Sequence, residues 1–129
     1  MNLLNLAILG PAIEAHPAFP NRTNVSWYAE LATGRTARIR ARIFERGAGE
    51  TLSSGTGACG AAIAYLLDCA AASSPAGAEP RGRVRVVLDG GELDVEVGED
   101  LRVHLTGWAL PVFAGRLSEE ILHELSENG

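Results

Sequence analysis

A chain of 129 residues suits one domain, 1–129, and an apolar fraction of 47% with 21% charged residues is that of an ordinary globular protein able to bury a core without staples. Eleven basic against 16 acidic residues leave a net charge of −5, which argues against nucleic acid as a partner. Two cysteines, Cys59 and Cys69, are too few for a disulfide framework, so the expected location is the cytoplasm.

Met1 to Ile13 is apolar but lacks a basic leading region and is broken by Gly10-Pro11, so it reads as neither a signal peptide nor a membrane span. Leu3 to Ala15 reads instead as a short amphipathic helix with Leu3, Leu4, Leu6, Ala7 and Ile13 on its apolar face, interrupted at Gly10-Pro11. His16 to Pro20 carries two prolines and leaves the helix; His16 reads as a surface loop residue. Asn21 to Asn24 is turn-like. Val25 to Leu31 alternates Val25, Trp27, Ala29 and Leu31 against Ser26, Tyr28 and Glu30, the pattern of a strand with one buried face. Thr33-Gly34 turns into a second strand, Thr36 to Phe44, in which Arg38, Arg40 and Arg42 alternate with apolar residues and mark the solvent face.

The second strand delivers Glu45 and Arg46 to a glycine-rich stretch, Gly47 to Gly60. From about Gly57 to Ala72 the chain reads as a helix apolar almost all round, with only Tyr65 and Asp68 polar, and such a helix is expected to be buried on all sides. Ser73 to Arg83 reads as an exposed loop. Three short strands follow: Val84 to Leu88, ending at the hairpin signal Asp89-Gly90-Gly91; Glu92 to Val97; and Leu101 to Leu105 after the turn Gly98-Glu99-Asp100. Leu110 to Gly115 reads as a terminal strand, and Ser118 as the cap of a last helix from Glu119 to Leu125. The predicted fold class is α+β: an antiparallel or mixed sheet wrapped around one central apolar helix.

Glycines let backbone approach a ligand, and the first N–H groups of a helix have no partner within it. Together with the helix dipole they favour an anion, so a carboxylate or phosphate is the expected handle of a small-molecule site here. Gly55-Thr56-Gly57-Ala58-Cys59-Gly60 formally matches the dinucleotide pattern, but the strand ends at Phe44, well before Gly55, and no acidic residue follows at the required spacing on a strand. A P-loop is excluded because no Lys-Ser or Lys-Thr pair follows the glycines, and the scattered His16, His104 and His123 give no metal-ligand pattern. Read from the residues alone, Glu45-Arg46 is either a surface ion pair or a ligand contact.

Glu45-Arg46-Gly47-Ala48-Gly49-Glu50-Thr51 and Gly55-Thr56-Gly57-Ala58-Cys59 resemble the second active-site motif of the diaminopimelate epimerase family. Leu9-Gly10-Pro11, His16-Pro17 and Phe19 to Val25 resemble the segment before it, and Leu105-Thr106-Gly107 with Val112 to Gly115 the closing strands. The resemblance covers nearly the whole chain but only the C-terminal half of the family. It implies an isomerase built from two pseudo-symmetric halves that interconverts LL- and meso-diaminopimelate without pyridoxal phosphate or any other cofactor. One cysteine from each half acts on opposite faces of the α-carbon. Carried over by residue, Asn24, Glu45 and Arg46 contact the substrate's amino-acid groups, and Gly55 and Thr56 its α-carboxylate.

Two departures matter. Ser54 stands where the family has its cysteine, and a serine hydroxyl is a far poorer general base near neutral pH than a thiol ionising at about 8.5. Cys59, five positions on, reads as a packed core thiol rather than a replacement. The half carrying the other cysteine is absent from this chain. A separate N-terminal half, or a second copy in a homodimer, is expected to complete the cleft. The alternative expectation is a catalytically silent amino-acid-binding module or truncated remnant, and a third is the same fold turned to another substrate, as in proline-racemase-like enzymes.

Overall fold

The structure is a computed structural model describing residues 4–73 and 79–127. In chain order the elements are α1 (Leu6–Glu14), β1 (Val25–Ala32), β2 (Ala37–Glu45), β3 (Gly49–Thr51), α2 (Gly55–Ser73), β4 (Gly82–Leu88), β5 (Gly91–Val97), β6 (Val103–Thr106) and α3 (Glu119–Glu127). The strands form one sheet ordered β1-β2-β4-β5-β6, with β3 hydrogen-bonded to the end of β2. β2 and β4 run parallel, Ala37 opposite Val84 and Arg40 opposite Val87, and every other described pair is antiparallel. Parallel neighbours need a long crossover, and α2 supplies it, lying across one face of the sheet. The sheet is therefore mixed, and the α+β class read from the sequence holds.

The period-two pattern of β2 sets the core. Ala37, Ile39, Ala41 and Ile43 are buried under α2 beside Val84, Val86 and Leu88 of β4 and Val95 and Val97 of β5. α2 presents Gly57, Ala58, Ala61, Ala62 and Tyr65 to them, and these small residues let the helix sit close. A Cβ on Gly57 would lie 2.6 Å from Cδ1 of Ile43. On the opposite face the arginines pair across strands: Arg38 with Glu92 at 2.7 Å, Arg42 with Glu50 at 2.6 Å, Arg85 with Asp94 at 2.7 Å, and Arg40 with Asp89. Exposed pairs of this kind each contribute little, and they confirm the basic run as a solvent face. The Arg85 guanidinium hydrogen-bonded to Asp94 also holds that carboxyl below the usual carboxylate range.

Several elements depart from the sequence reading. α1 runs through Gly10-Pro11 without interruption; Leu3 lies outside the described residues. Its buried stripe is Leu6, Gly10 and Glu14, spaced four apart, whereas Leu4, Ile8 and Leu9 are exposed. Gly10 makes this docking possible, because a Cβ there would lie 2.2 Å from the Phe44 ring. In β1 the polar side is the one turned to the helix. Ser26, Tyr28 and Glu30 sit opposite Ile43, Ala41 and Ile39, the inward residues of β2, while Trp27 and Ala29 sit opposite Arg42 and Arg40. Period-two alternation defines two faces but not which is covered.

α2 begins at Gly55, two residues before the predicted start, and β3 forms inside the glycine-rich stretch; α2 runs to Ser73 and β4 starts at Gly82, so the predicted exposed loop contracts to the residues between them, of which 74–78 lie outside the described residues. α2 is not buried all round. It is long and apolar enough to cross a membrane by length and composition, but one face packs on the sheet and the other is open in this chain, with Leu67 48% exposed. The sheet covers one side of the helix only. Residues 110–115 form no strand among the described residues; Val112 and Phe113 are 92% and 87% exposed. A strand needs a neighbour to bond to, and none lies alongside them among the described residues. α3 forms as read, with Ser118 Oγ accepting the Ile121 N–H at 3.4 Å, and a backbone hydrogen bond, then the Ser118 hydroxyl, hold the Glu120 carboxyl below its ordinary range.

Candidate functional site

β1 and β2 run antiparallel, with Val25 opposite Phe44, so Asn24 and Glu45-Arg46 emerge together at one end of the hairpin. The Arg46 backbone N–H donates to Asn24 Oδ1 at 2.8 Å, and Arg46 Nη1 donates to the Asn21 carbonyl at 2.9 Å. The guanidinium thus holds the preceding loop rather than pairing with Glu45. A tight turn follows: the Ala48 N–H donates to the Glu45 carbonyl at 3.0 Å, with Gly47 at φ +79°. β3 then returns along β2, Glu45 opposite Gly49, which folds the glycine-rich stretch back toward the sheet.

Between β3 and α2 the chain is fixed from two sides. The Gly90 N–H, in the β4–β5 turn, donates to the Leu52 carbonyl at 2.6 Å. Ser54 caps α2: its Oγ accepts the Gly57 N–H at 3.3 Å and its carbonyl the Ala58 N–H at 2.9 Å. Ser54 is buried, at 7% exposure, while Thr56 beside it is exposed. With Gly57 capped, the N–H groups of Gly55 and Thr56 stand at the first two helical positions, where no intrahelical acceptor exists. Leu105 of β6 covers this end, since a Cβ on Gly55 would lie 2.9 Å from its Cδ2.

The hairpin end and the helix end belong to one region. Ser26 Oγ donates to the Gly57 carbonyl at 3.2 Å, and Ile43, opposite Ser26, packs on Gly57. Asn24 and Glu45 lie two residues beyond these contacts along their strands, about 7 Å at strand rise. All six residues singled out from the sequence therefore lie around one end of the hairpin and the first turn of α2. Among the described residues, open concavities of about 270 to 410 Å³ lie on the outer face of the sheet and beside α2, and these are not lined by any of the six.

Cys59 sits on the core-facing part of α2 among partly buried apolar residues, and burial pushes its thiol up, away from the thiolate. This matches its reading as a packed thiol. His16 is an exposed loop residue whose Nδ1 accepts the Ala18 N–H at 3.2 Å.

Sequence reasoning missed two contributors. Gly90 ties down the segment before Ser54. Glu14 accepts the Gly47 N–H at 2.9 Å while 3% exposed. The signal for Glu14 was the four-residue spacing of Leu6, Gly10 and Glu14, which places a carboxylate on the docking stripe of α1.

Fold and site together define a class: an α+β half-domain in which a glycine-rich turn delivers a capped helix N-terminus beside a polar hairpin end. The family model for diaminopimelate epimerase matches residues 1–109. A diaminopimelate epimerase of Desulfitobacterium hafniense is 42% identical over 119 residues, 92% of this chain and 38% of its own length. Those of Thermosynechococcus vestitus and Chromobacterium violaceum are 44% and 42% identical over 117 residues each, covering 88% and 87% of this chain. The chain belongs to the diaminopimelate epimerase family, and it spans 38% of the length of the first two of these relatives and 37% of the third.

Proposed function

We propose that the chain is the C-terminal half of a cytoplasmic, cofactor-independent enzyme that interconverts LL- and meso-2,6-diaminopimelate, a step toward lysine and peptidoglycan precursors. The observation that carries this reading is the α2 N-terminus, where Ser54 caps Gly57 and leaves the Gly55 and Thr56 N–H groups to an anion. In this role they hold the α-carboxylate. Asn24, Glu45 and Arg46 hold the amino-acid groups, with Asn24 and Arg46 already locked together. Proton transfer at the α-carbon needs one group on each face. Ser54 occupies the position of this half's base, and the other comes from a complementary half.

That complementary half also accounts for the apolar surface left open here. Trp108, Leu110, Val112 and Phe113 are all more than two-thirds exposed, and Ile121, Leu122 and Leu125 form an uncovered stripe on α3. Exposed apolar side chains in this number fit an interface with that half. The complement is a separate N-terminal half or a second copy of this chain in a homodimer.

The test is ¹H/²H exchange at the α-carbon of LL-diaminopimelate, with the chain alone and with the N-terminal half of a relative added. Exchange on adding the half is expected, and Ser54→Cys is expected to raise its rate. No exchange under any of these conditions overturns the enzymatic reading.

A second reading rests on Ser54 itself. Its oxygen is buried and engaged in capping, and a hydroxyl does not ionise near neutral pH. On this reading the chain binds an amino acid and performs no proton transfer. Calorimetric titration with diaminopimelate that shows binding, together with no exchange at the α-carbon, selects it.

A further inference from the structure

We propose that Glu14 is a positioning residue for the site, a single buried carboxylate oxygen that holds together the two chain segments carrying Asn24 and Arg46. The inference rests on the reading of those two residues as substrate contacts. Glu14 Oε1 accepts the Gly47 N–H at 2.9 Å and pairs with Arg22 Nη2 at 2.8 Å. Gly47 directly follows Arg46, and Arg22 lies two residues before Asn24. One oxygen therefore binds both segments next to the point where the Arg46 N–H meets Asn24 Oδ1.

One partner of Glu14 has backbone that needs holding: Arg22 is a non-glycine residue at φ +59°, whereas Gly47 adopts its φ of +79° freely. Left-handed backbone at a bulky residue persists where its surroundings over-determine it. Arg22 is fixed by its N–H to the Phe19 carbonyl at 2.8 Å and by the ion pair to Glu14. α1 is itself keyed to the site, because Gly10 seats it on the ring of Phe44, the residue before Glu45, and Glu14 lies one helical turn further on. Burying a carboxylate is costly unless it is paired and hydrogen-bonded. Glu14 meets both conditions, and both of its partners belong to the site's framework.

The test compares Glu14→Ala and Glu14→Gln with the unaltered chain by amide hydrogen exchange in two-dimensional NMR. In Glu14→Ala, exchange is expected to rise about tenfold at Gly47 and also at Arg46, whose own acceptor Asn24 is untouched, while Val86 and Val95 in the core keep their rates. Glu14→Gln still offers Gly47 an acceptor but gives up the ion pair. It should keep Gly47 near its original rate and raise Arg46 several-fold, which keeps the inference testable if the alanine variant fails to fold. Unchanged exchange at Arg46 in Glu14→Gln, or a rise shared equally by the core amides, overturns the inference. Diaminopimelate is then titrated into each protein. Where the unaltered chain binds, about tenfold weaker binding by Glu14→Ala is expected, and equal binding overturns the positioning role. If the unaltered chain does not bind even with the N-terminal half of a relative added, the substrate reading of Asn24 and Arg46 fails, while the exchange data still decide what Glu14 holds.

Discussion

The Arg46 backbone N–H and the Asn24 side-chain oxygen meet at 2.8 Å across 22 residues of sequence, closing the open end of the β1–β2 hairpin. The bond extends the strand ladder one step past the Val25–Phe44 pair with a side chain in place of backbone. Asn24→Ala removes the acceptor, and a loss of about 1 kcal/mol in urea unfolding is expected. Asn24→Asp keeps an acceptor and should lose less. An alanine variant with an unshifted urea midpoint would show that the bond holds nothing.

Ser54 caps α2 and stands at the position proposed above for this half's base. As a cap it fixes α2, so Ser54→Ala should lower stability by about 1 kcal/mol. Ser54→Cys places a thiol at the helix N-terminus, where the dipole favours the thiolate. Its alkylation by iodoacetamide, followed against pH, should show a midpoint below that of Cys59, whose thiol burial pushes up. Reaction at Cys59 ahead of the introduced cysteine would contradict this.

Gly57 and Gly60, three apart on α2, should respond with opposite signs. A Cβ at Gly57 meets Ile43 at 2.6 Å, whereas one at Gly60 meets nothing within 4 Å. Gly57→Ala should destabilise by about 1–3 kcal/mol through overpacking. Gly60→Ala should stabilise by about 1 kcal/mol, because alanine loses less backbone entropy in a helix. Thermal unfolding of the two variants checks both signs.

The far end of α2 is held by tyrosine–carboxylate bonds: Tyr28 O–H donates to Asp68 Oδ2, and Tyr65 O–H to Glu30 Oε2 at 2.8 Å, with the two rings T-shaped at 5.9 Å. The bond to Asp68, then burial, pushes the Tyr28 phenol from 10.0 up to about 12. Burial, then the Cys69 and Glu30 contacts, also raises Tyr65. A raised value in the folded state means that the unfolded chain gives up the proton first. The Tyr28 contribution is therefore complete below about pH 10 and is lost as pH rises through about 12. Absorbance at the phenolate band should show this late titration, and Tyr28→Phe should flatten the stability loss between those pH values. A Tyr28 titrating at its ordinary value would remove the basis of this prediction.

Much of the fold was legible because its signals are local. Alternation in β2, β4 and β5, the Asp89-Gly90 turn, the Ser118 cap and the apolar run of α2 each follow from neighbouring residues, as does the expectation that the N-terminus of α2 binds an anion. The motif residues Asn24, Glu45, Arg46, Ser54, Gly55 and Thr56 could likewise be named from the sequence. Which side of β1 faces the helix could not, because Ser26, Tyr28 and Glu30 find hydrogen-bond partners on α2, far along the chain. The docking of α1 at Gly10 depended on the Phe44 ring, 34 positions away. Residues 110–115 look like a strand by composition but have no strand beside them here.

The sequence by itself determined most of the helices and strands, the family and the residues of the glycine-rich turn, because helix caps, strand alternation and turn glycines act through chain neighbours. Only the tertiary structure decided that α2 is covered on one face, that Ser54 is buried as a cap, and that Glu14 binds the segments carrying Asn24 and Arg46. Each of these depends on contacts between residues far apart in the chain, and the pairing of strands and docking of helices that create such contacts leave no mark in local spacing.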